Sequence, residues 1–399
     1  MENVKITNRA CVLQLLVNRG AMSRTDIASV LSLTTATVTT ICNEFISKNL
    51  LIPGEETDTV SKVGRKRNPI DLNYDRKHIL TIDIDSDVTT VSITNLKGRL
   101  AASDSFATAH RGEPAEFFRQ AAAAAIRLLW THHFQNDDIL GAGVTIVGPV
   151  NHTDGISLDS SGIFSGECNI KKYLEQELPF TVCVENSVSA LLSSELLFNN
   201  PDNLQNVLML KWGPDVGSAS VINGVMYKGS NFRSSELGLT MIDQNEPVRF
   251  AGRGGRLESL ISMDAIAEKA KELYALRSSS SLLDTADTYG FPNKENFSAY
   301  VSMEDPAFQE YLDKSAEALA IVTNNAIQLI VPDKIILFGD IFDNEAIYSS
   351  FINHANRINP ELTDDLFICS ELTKKKAYIG GTAIILKQLL IDNGGTLIS

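Results

Sequence analysis

Thr35, Thr37, Thr39, Thr40 and Asn43 interleave with Val38, Ile41, Cys42 and Phe45, which hold i, i+3, i+4 and i+7 places. Short hydroxyl and amide side chains on the far face of an apolar helical stripe can hydrogen-bond base edges and phosphates. Downstream, Lys62, Arg65, Lys66 and Arg67 surround Gly64. Such a run can grip phosphate or enter a minor groove, with the glycine permitting close backbone approach. Other chemistry is poorly provided for. Cys11, Cys42, Cys168, Cys183 and Cys369 have no metal-like or redox-like spacing and read as reduced core residues of a cytoplasmic protein. His78, His110, His132, His133, His152 and His354 are dispersed and read as surface or strand-end residues.

The elements that would position the threonines follow from local signals. An apolar face of Ala10, Leu13, Leu16 and Val17 predicts a helix from about Asn8 to Val17, ended by Arg19-Gly20. Ser23 can cap a second helix carrying Ile27, Ala28 and Leu31, with Asp26 at the capping-box position. After a tight turn at Ser32-Leu33, Thr34 can cap the third helix. This spacing suits a helix-turn-helix with the third helix in the major groove. The stretch through "KVGRKRNPIDLN" reads as a wing. Arg24, Thr34, Thr35, Thr37, Thr39, Thr40, Asn43, Lys62, Gly64, Arg65, Lys66 and Arg67 are the expected DNA contacts. The bland alternative is a three-helix interaction bundle with a solvated basic loop.

Charge and length agree with a head and a body. The 399 residues carry a net charge of −14, yet residues 1–77 hold eleven Lys and Arg against eight Asp and Glu, leaving −17 for the rest. An acidic body repels phosphate and leaves nucleic-acid contact to the head. No apolar run is long enough to span a membrane, and MENVKITNRA lacks a signal-peptide core.

In the body, "ILTIDI" is followed by two strands joined at Lys97-Gly98, and "NVLMLKW" by two strands turning at Asn223-Gly224. Further strands are expected in "ILGAGVTIVG", "TVCV", "KIILFGD" and "LFICS", with helices near 113–133, 314–330 and 379–391. Ala121–Ala125 reads as a close-packed helix face and Ser278–Ser281 as a loop. The repeated layout predicts two α/β lobes of the actin and hexokinase (ribonuclease H-like) type facing each other across a cleft.

Nearly the whole chain resembles the ROK family of repressors and sugar kinases, in its repressor branch. The resemblance is carried by the head sequence "MSRTDIASVLSLTTATVTTICNEFISKNLL" with "GRKRNPIDLN", then by "VGPVNHTDGI", "VENSVSALL", "GPDVGSASVINGVMYKGSNFRSSELGL" and "GGRLES" in order, and by Gly339 and Gly380-Gly381. It implies a winged helix-turn-helix domain over 1–72, a link near 70–78, and a ligand-sensing and oligomerising body over 78–399.

The departures from the family's kinases are specific. Their first phosphate loop, Asp-Ile-Gly-Gly-Thr, reads Asp83-Ile84-Asp85-Ser86-Asp87 here. The glycines that let N–H groups approach phosphate are gone, and added carboxylates repel it. The second loop reads Gly213-Pro214-Asp215-Val216-Gly217, and the family's catalytic Asp is Ser187. A serine without a partner base cannot take a hydroxyl proton near neutral pH. The family's zinc ligands fall on Leu239, Arg249, Ala251 and Arg256, and none of these side chains binds Zn²⁺. Arg249, Arg253 or Arg256 could hold that loop by ion pairs instead.

The resemblance leaves Asn186, Ser187, Glu236 and Glu258 as ligand contacts, with Leu239 making one edge apolar. Glu236 could instead cap a turn, and Glu258 could pair with Arg253 or Arg256. The reading is therefore a transcriptional regulator, most simply a repressor, of carbohydrate genes. Its partners are double-stranded operator DNA, a sugar-like ligand and a second or further copies of itself in a homodimer or homotetramer. No catalytic residue, metal site or cofactor is expected. The alternatives are a ROK-type sugar kinase and a repressor governed by a partner protein with a vestigial cleft.

Overall fold

The structure, a computed structural model, describes residues 2–54, 68–109, 111–199, 204–213, 216–243, 254–293, 295–372 and 378–398. The chain opens with α1 (Glu2–Arg19), α2 (Arg24–Val30) and α3 (Thr35–Ser47). α1 is longer than the expected 8–17, since no Gly or Pro interrupts its first turns and the Thr7 hydroxyl donates to the Asn3 carbonyl at 2.8 Å. The expected caps form. Ser23 Oγ accepts from Asp26 N at 3.2 Å and bonds its carboxylate at 2.7 Å, and Thr34 Oγ1 accepts from Thr37 N at 3.1 Å. Ser32, at φ 53°, turns the chain sharply between α2 and α3.

Leu13, Leu16, Ile27, Val38, Ile41 and Phe45 are buried together and lock the three helices. Behind them β1 (Leu51–Pro53) pairs antiparallel with β2 (Ile70–Leu72), and Met22 bridges Ile70 on the other side. The basic residues of the sequence lie in the segment joining β1 to β2, outside the described residues.

Contacts divide the chain into two units, Met1–Asn203 with Lys375–Ser399, and Leu204–Lys374. The first contains the head and β3 (His78–Ile84), β4 (Val88–Asn95), β5 (Leu100–Ala107), α4 (Pro114–Thr131) and β6 (Ile139–Ile146). These are followed by a small sheet of β7 (Val150–Asn151), β8 (Ile156–Ser157) and β9 (Cys168–Asn169), then α5 (Ile170–Glu177), β10 (Val182–Asn186) and α6 (Ser187–Phe198). The main sheet has the order β10-β6-β3-β4-β5, antiparallel through β3, β4 and β5 and parallel through β3, β6 and β10. Ala121, Ala122, Ala124 and Ala125 are buried, as the run of small residues predicts, so that α4 lies close against the sheet.

The second unit has β11 (Val207–Trp212), β12 (Val216–Ile222), β13 (Val225–Met226), α7 (Glu258–Ile261), α8 (Met263–Ala275), α9 (Ser280–Tyr289) and α10 (Phe297–Val301). It continues with α11 (Pro306–Ile330), β14 (Lys334–Phe338), α12 (Glu345–Ile358) and β15 (Phe367–Cys369). Its order, β13-β12-β11-β14-β15, repeats the first sheet in connectivity and direction. Asn223 and Gly224 both take positive φ, as a tight hairpin turn requires. Trp212 is fully buried and donates to the Ile261 carbonyl at 3.1 Å.

Several local expectations need correction. Only half of Ser278–Ser281 is loop, because Ser279 Oγ accepts from Leu282 N at 3.1 Å and caps α9, which takes in Ser280 and Ser281. Cys11 and Cys369 are exposed rather than core residues, while Cys42, Cys168 and Cys183 are buried. His354 is neither on the open surface nor at a strand end. It stands mostly covered on α12, with Nε2 3.1 Å from Asp313. His110 lies outside the described residues.

The chain then returns to the first unit as α13 (Tyr378–Ile385), which continues into a π-helical turn (Leu386–Ile391). α13 lies directly on the sheet. A side-chain carbon at Gly143 of β6 would overlap the backbone of Gly381, and one at Gly381 would stand 2.7 Å from the Gly143 carbonyl. Two glycines facing each other permit that approach, and no larger pair could.

Candidate nucleic-acid interface and ligand-binding residues

α3 owes its orientation to Phe45, Cys42, Ile41 and Val38, all buried. Its opposite side presents Thr35, Ala36, Thr40, Asn43 and Ser47 as exposed residues, with Thr39 half-buried between them. The threonines do not play one role. Thr34 and Thr37 share a hydroxyl–hydroxyl bond of 2.8 Å besides the cap, so both are engaged in starting the helix. Thr40 donates to the Ala36 carbonyl at 3.0 Å. Among the described residues, Thr35 and Thr39 make no side-chain hydrogen bond, and with Asn43 they follow one another at i, i+4, i+8. Three polar groups in such a line can meet successive base edges in a major groove.

Arg24, at the first position of α2, donates to Asn43 Oδ1 at 3.2 Å and ties the two helices of the motif together. Burial pushes the neighbouring Cys42 thiol up to about 11, against the pull of Arg24, so this sulfur stays protonated and inert. Lys62, Gly64, Arg65, Lys66 and Arg67 lie outside the described residues. The ladder that leads to them is sound, since Gly54 N donates to Pro69 O at 2.9 Å just beyond the β1–β2 pairs.

Of the expected ligand contacts, Asn186 and Ser187 stand in the first unit, and Glu236 and Glu258 in the second. Asn186 ends β10 and caps α6. Its Oδ1 accepts from Val188 N and Ser189 N, each at 3.0 Å, and its Nδ2 donates to Gly148 O at 2.8 Å. Only one amide N–H is left over for a ligand. Ser187 is the half-buried first residue of α6.

In the second unit Glu236 precedes the turn Leu237–Leu239 in the cap position, but its side chain makes no capping bond. Glu258 begins α7, and its Oε2 would lie 3.7 Å from a side-chain carbon at Gly238. Gly238 therefore lets the Glu258 carboxylate lie close against the turn that Glu236 opens.

The ROK family profile matches residues 79–388. The chain belongs to the ROK family. Among its ROK relatives, the E. coli (strain K12) "DNA-binding transcriptional dual regulator NagC" is 21% identical, over 97% of this chain and 94% of that protein. The "Xylose repressor" of Caldicellulosiruptor bescii is 24% identical over 68% of this chain and 67% of its own length. A crystal structure described as a ROK family transcriptional regulator, a homolog of the E. coli MLC protein, superposes with a TM-score of 0.79 at 20% identity. It covers 98% of each chain. That likeness extends the shared fold across the head as well as the body.

Backbone bonds hold the two segments that the resemblance sets against the family's first phosphate loop and its zinc loop. Asp85 Oδ1 accepts from Ser86 N at 2.7 Å, and Asp85 N donates to Val88 O at 3.3 Å, closing β3 to β4 in a tight turn. None of Asp85, Ser86 and Asp87 takes a positive φ, so the turn has no need of glycine. Asp83 accepts a hydrogen bond from Thr145 of β6. At the zinc-loop position, Met241 pairs with Arg256, Ile242 N donates to Gly255 O at 2.8 Å, and Leu257 N to Thr240 O at 2.9 Å. A backbone ladder closes the base of that loop. Arg249, Ala251 and Arg253 lie outside the described residues, as do Pro214 and Asp215.

Sequence reasoning missed the last residues of the chain. Gly394, Gly395 and Ile398 sit against the head helices, and only the glycine pair hinted at a close approach.

Proposed function

We propose that this chain is a sequence-specific DNA-binding transcriptional regulator, most simply a repressor, of carbohydrate genes. In this reading its head contacts a two-fold operator as part of a homodimer or homotetramer. The observation that carries the reading is the capped α2–turn–α3 unit with Thr35, Thr39 and Asn43 aligned on its open face. Full-length relatives named as regulators support it. The head spans about residues 1–72 and the sensing body 78–399.

The body would bind a sugar or sugar derivative without phosphorylating it. Glu236 and Glu258 would accept from hydroxyls, and Asn186 would offer its remaining N–H. Ser187 stands where the resemblance places a carboxylate base, and a serine hydroxyl does not take a proton near neutral pH, while the turn at 85–87 adds negative charge where a phosphate would need N–H donors. The ligand would favour one arrangement of the body and so alter the fit of two heads to the operator.

Genome-wide selection of bound fragments at physiological salt tests the DNA reading, and a defined two-fold motif is the expected result. Recovery of fragments without sequence preference would overturn it. A thermal-shift screen of pentoses, hexoses and amino sugars, with Glu236→Gln as control, tests the sensor reading separately.

A further inference from the structure

Arg9 is an arginine in the wrong place for a surface helix. It is only 4% exposed, on the inner side of α1. Its Nη1 pairs with Glu44 of the DNA-reading helix α3, its Nε donates to the Gly394 carbonyl at 2.6 Å, and its guanidinium lies 4.9 Å above the Phe45 ring. One side chain thus joins α1, α3 and the C-terminal tail.

The tail is fitted to receive it. Gly394 and Gly395 have φ of 57° and 65°. A side-chain carbon at Gly395 would stand 2.9 Å from Phe45 Cε1 and 3.3 Å from Leu13 and Leu50. One at Gly394 would stand 2.9 Å from the Ile6 carbonyl. Lys48, just past α3, donates to the Ile398 carbonyl at 2.6 Å, and Ile398 is fully buried. Upstream, the same segment is continuous through the π-helical turn with α13, which is seated on β3 and β6 of the main sheet. The head core and the π-helical turn share one cluster of buried residues.

We infer that Arg9 is a positioning residue for DNA recognition, pinning the recognition helix to the C-terminal tail so that α13 sets the direction in which α3 points. The inference rests on the proposed reading of α3 as the DNA-contacting helix. Two heads can occupy two half-sites together only if each is held at a fixed angle and spacing. A head freed from the tail would still meet phosphates, whose contacts tolerate many poses, but would lose the gain from simultaneous engagement.

The test uses the full chain, Arg9→Met, a chain ending at Asn393, and the two changes combined. Each is titrated against a duplex recovered by genomic selection with the wild type and against a scrambled duplex of equal length. Wild-type preference for the selected duplex is the control for the DNA reading itself. The expected result is a loss of about tenfold or more on the selected duplex, with little change on the scrambled one. The double variant should lose clearly less than the product of the two single losses, since both changes break the Arg9–Gly394 link. Full-strength operator binding by the shortened chain, or losses that multiply in the double variant, would overturn the inference. Hydrogen exchange without DNA separates a loosened head from an unfolded one. Amides of Leu13 and Leu16 should stay protected while those of α3 exchange faster. Lost protection across the whole head would assign Arg9 a purely structural role and also overturn it.

Discussion

Replacing Asn186 with Ala separates a fold-building amide from a ligand contact. In the protein, Oδ1 caps α6 through Val188 N and Ser189 N, and Nδ2 holds the Gly148 carbonyl. Loss of an N-cap costs about 0.5–2 kcal/mol, and loss of one further hydrogen bond costs about 0.5–1.5 kcal/mol. The expected destabilisation is about 2 kcal/mol before any ligand is added. For a unit of roughly this size that corresponds to a fall of about 4–8 °C in its transition. Differential scanning calorimetry of ligand-free protein reads this directly. Asn186→Asp keeps the cap acceptor but turns a second acceptor oxygen on the Gly148 carbonyl, so it should be less stable than the wild type. If Asn186→Ala melted like the wild type without ligand, the amide would not be committed to α6 and Gly148. The geometric reasoning would then be refuted.

Four further outcomes are expected. Thr39→Ala should change base preference by about 1–3 kcal/mol at one position of each half-site, whereas Arg65→Ala with Arg67→Ala should weaken all duplexes and flatten the salt dependence, as read by anisotropy titrations at several salt concentrations. Phe45→Ala, which opens a cavity under α3 where Phe45 is fully buried, should cost about 3–5 kcal/mol and abolish head protection in hydrogen exchange. Burial works to raise the Glu44 carboxyl, but the hydrogen bond and charge of Arg9, with Lys5 and Lys48 adding, hold it below its ordinary 4.5. Its stabilising contribution is then complete above that value and lost as pH falls through the depressed one. The stability difference between the wild type and Glu44→Gln should be constant near neutrality and shrink below about pH 4.5, with acid unfolding curves as the check.

The head was legible residue by residue because its signals are local. Ser23 with Asp26, Thr34 with Thr37, and the apolar stripe of α3 each act within one helical turn, so spacing alone predicts them. The duplicated sheets were legible for a similar reason, since each strand is an apolar run bounded by turn residues such as Asn223-Gly224. The helices between Met263 and Val301 were not, because their short buried stripes carry little period and Ser279 looks like any serine in a polar loop. The departures from the family's phosphate and zinc motifs could be read from residue identities, because a missing glycine or cysteine is missing in any fold. What Asn186 does was a different matter. The resemblance implies a ligand contact, but the residue's bonds to Val188, Ser189 and Gly148 exist only once β10, α6 and the turn after β6 are assembled. The same holds for Arg9, Glu44 and Gly394, which lie far apart in the chain and meet through α13. Periodicity reports which face of an element is buried, while the partner on that face is chosen by tertiary packing.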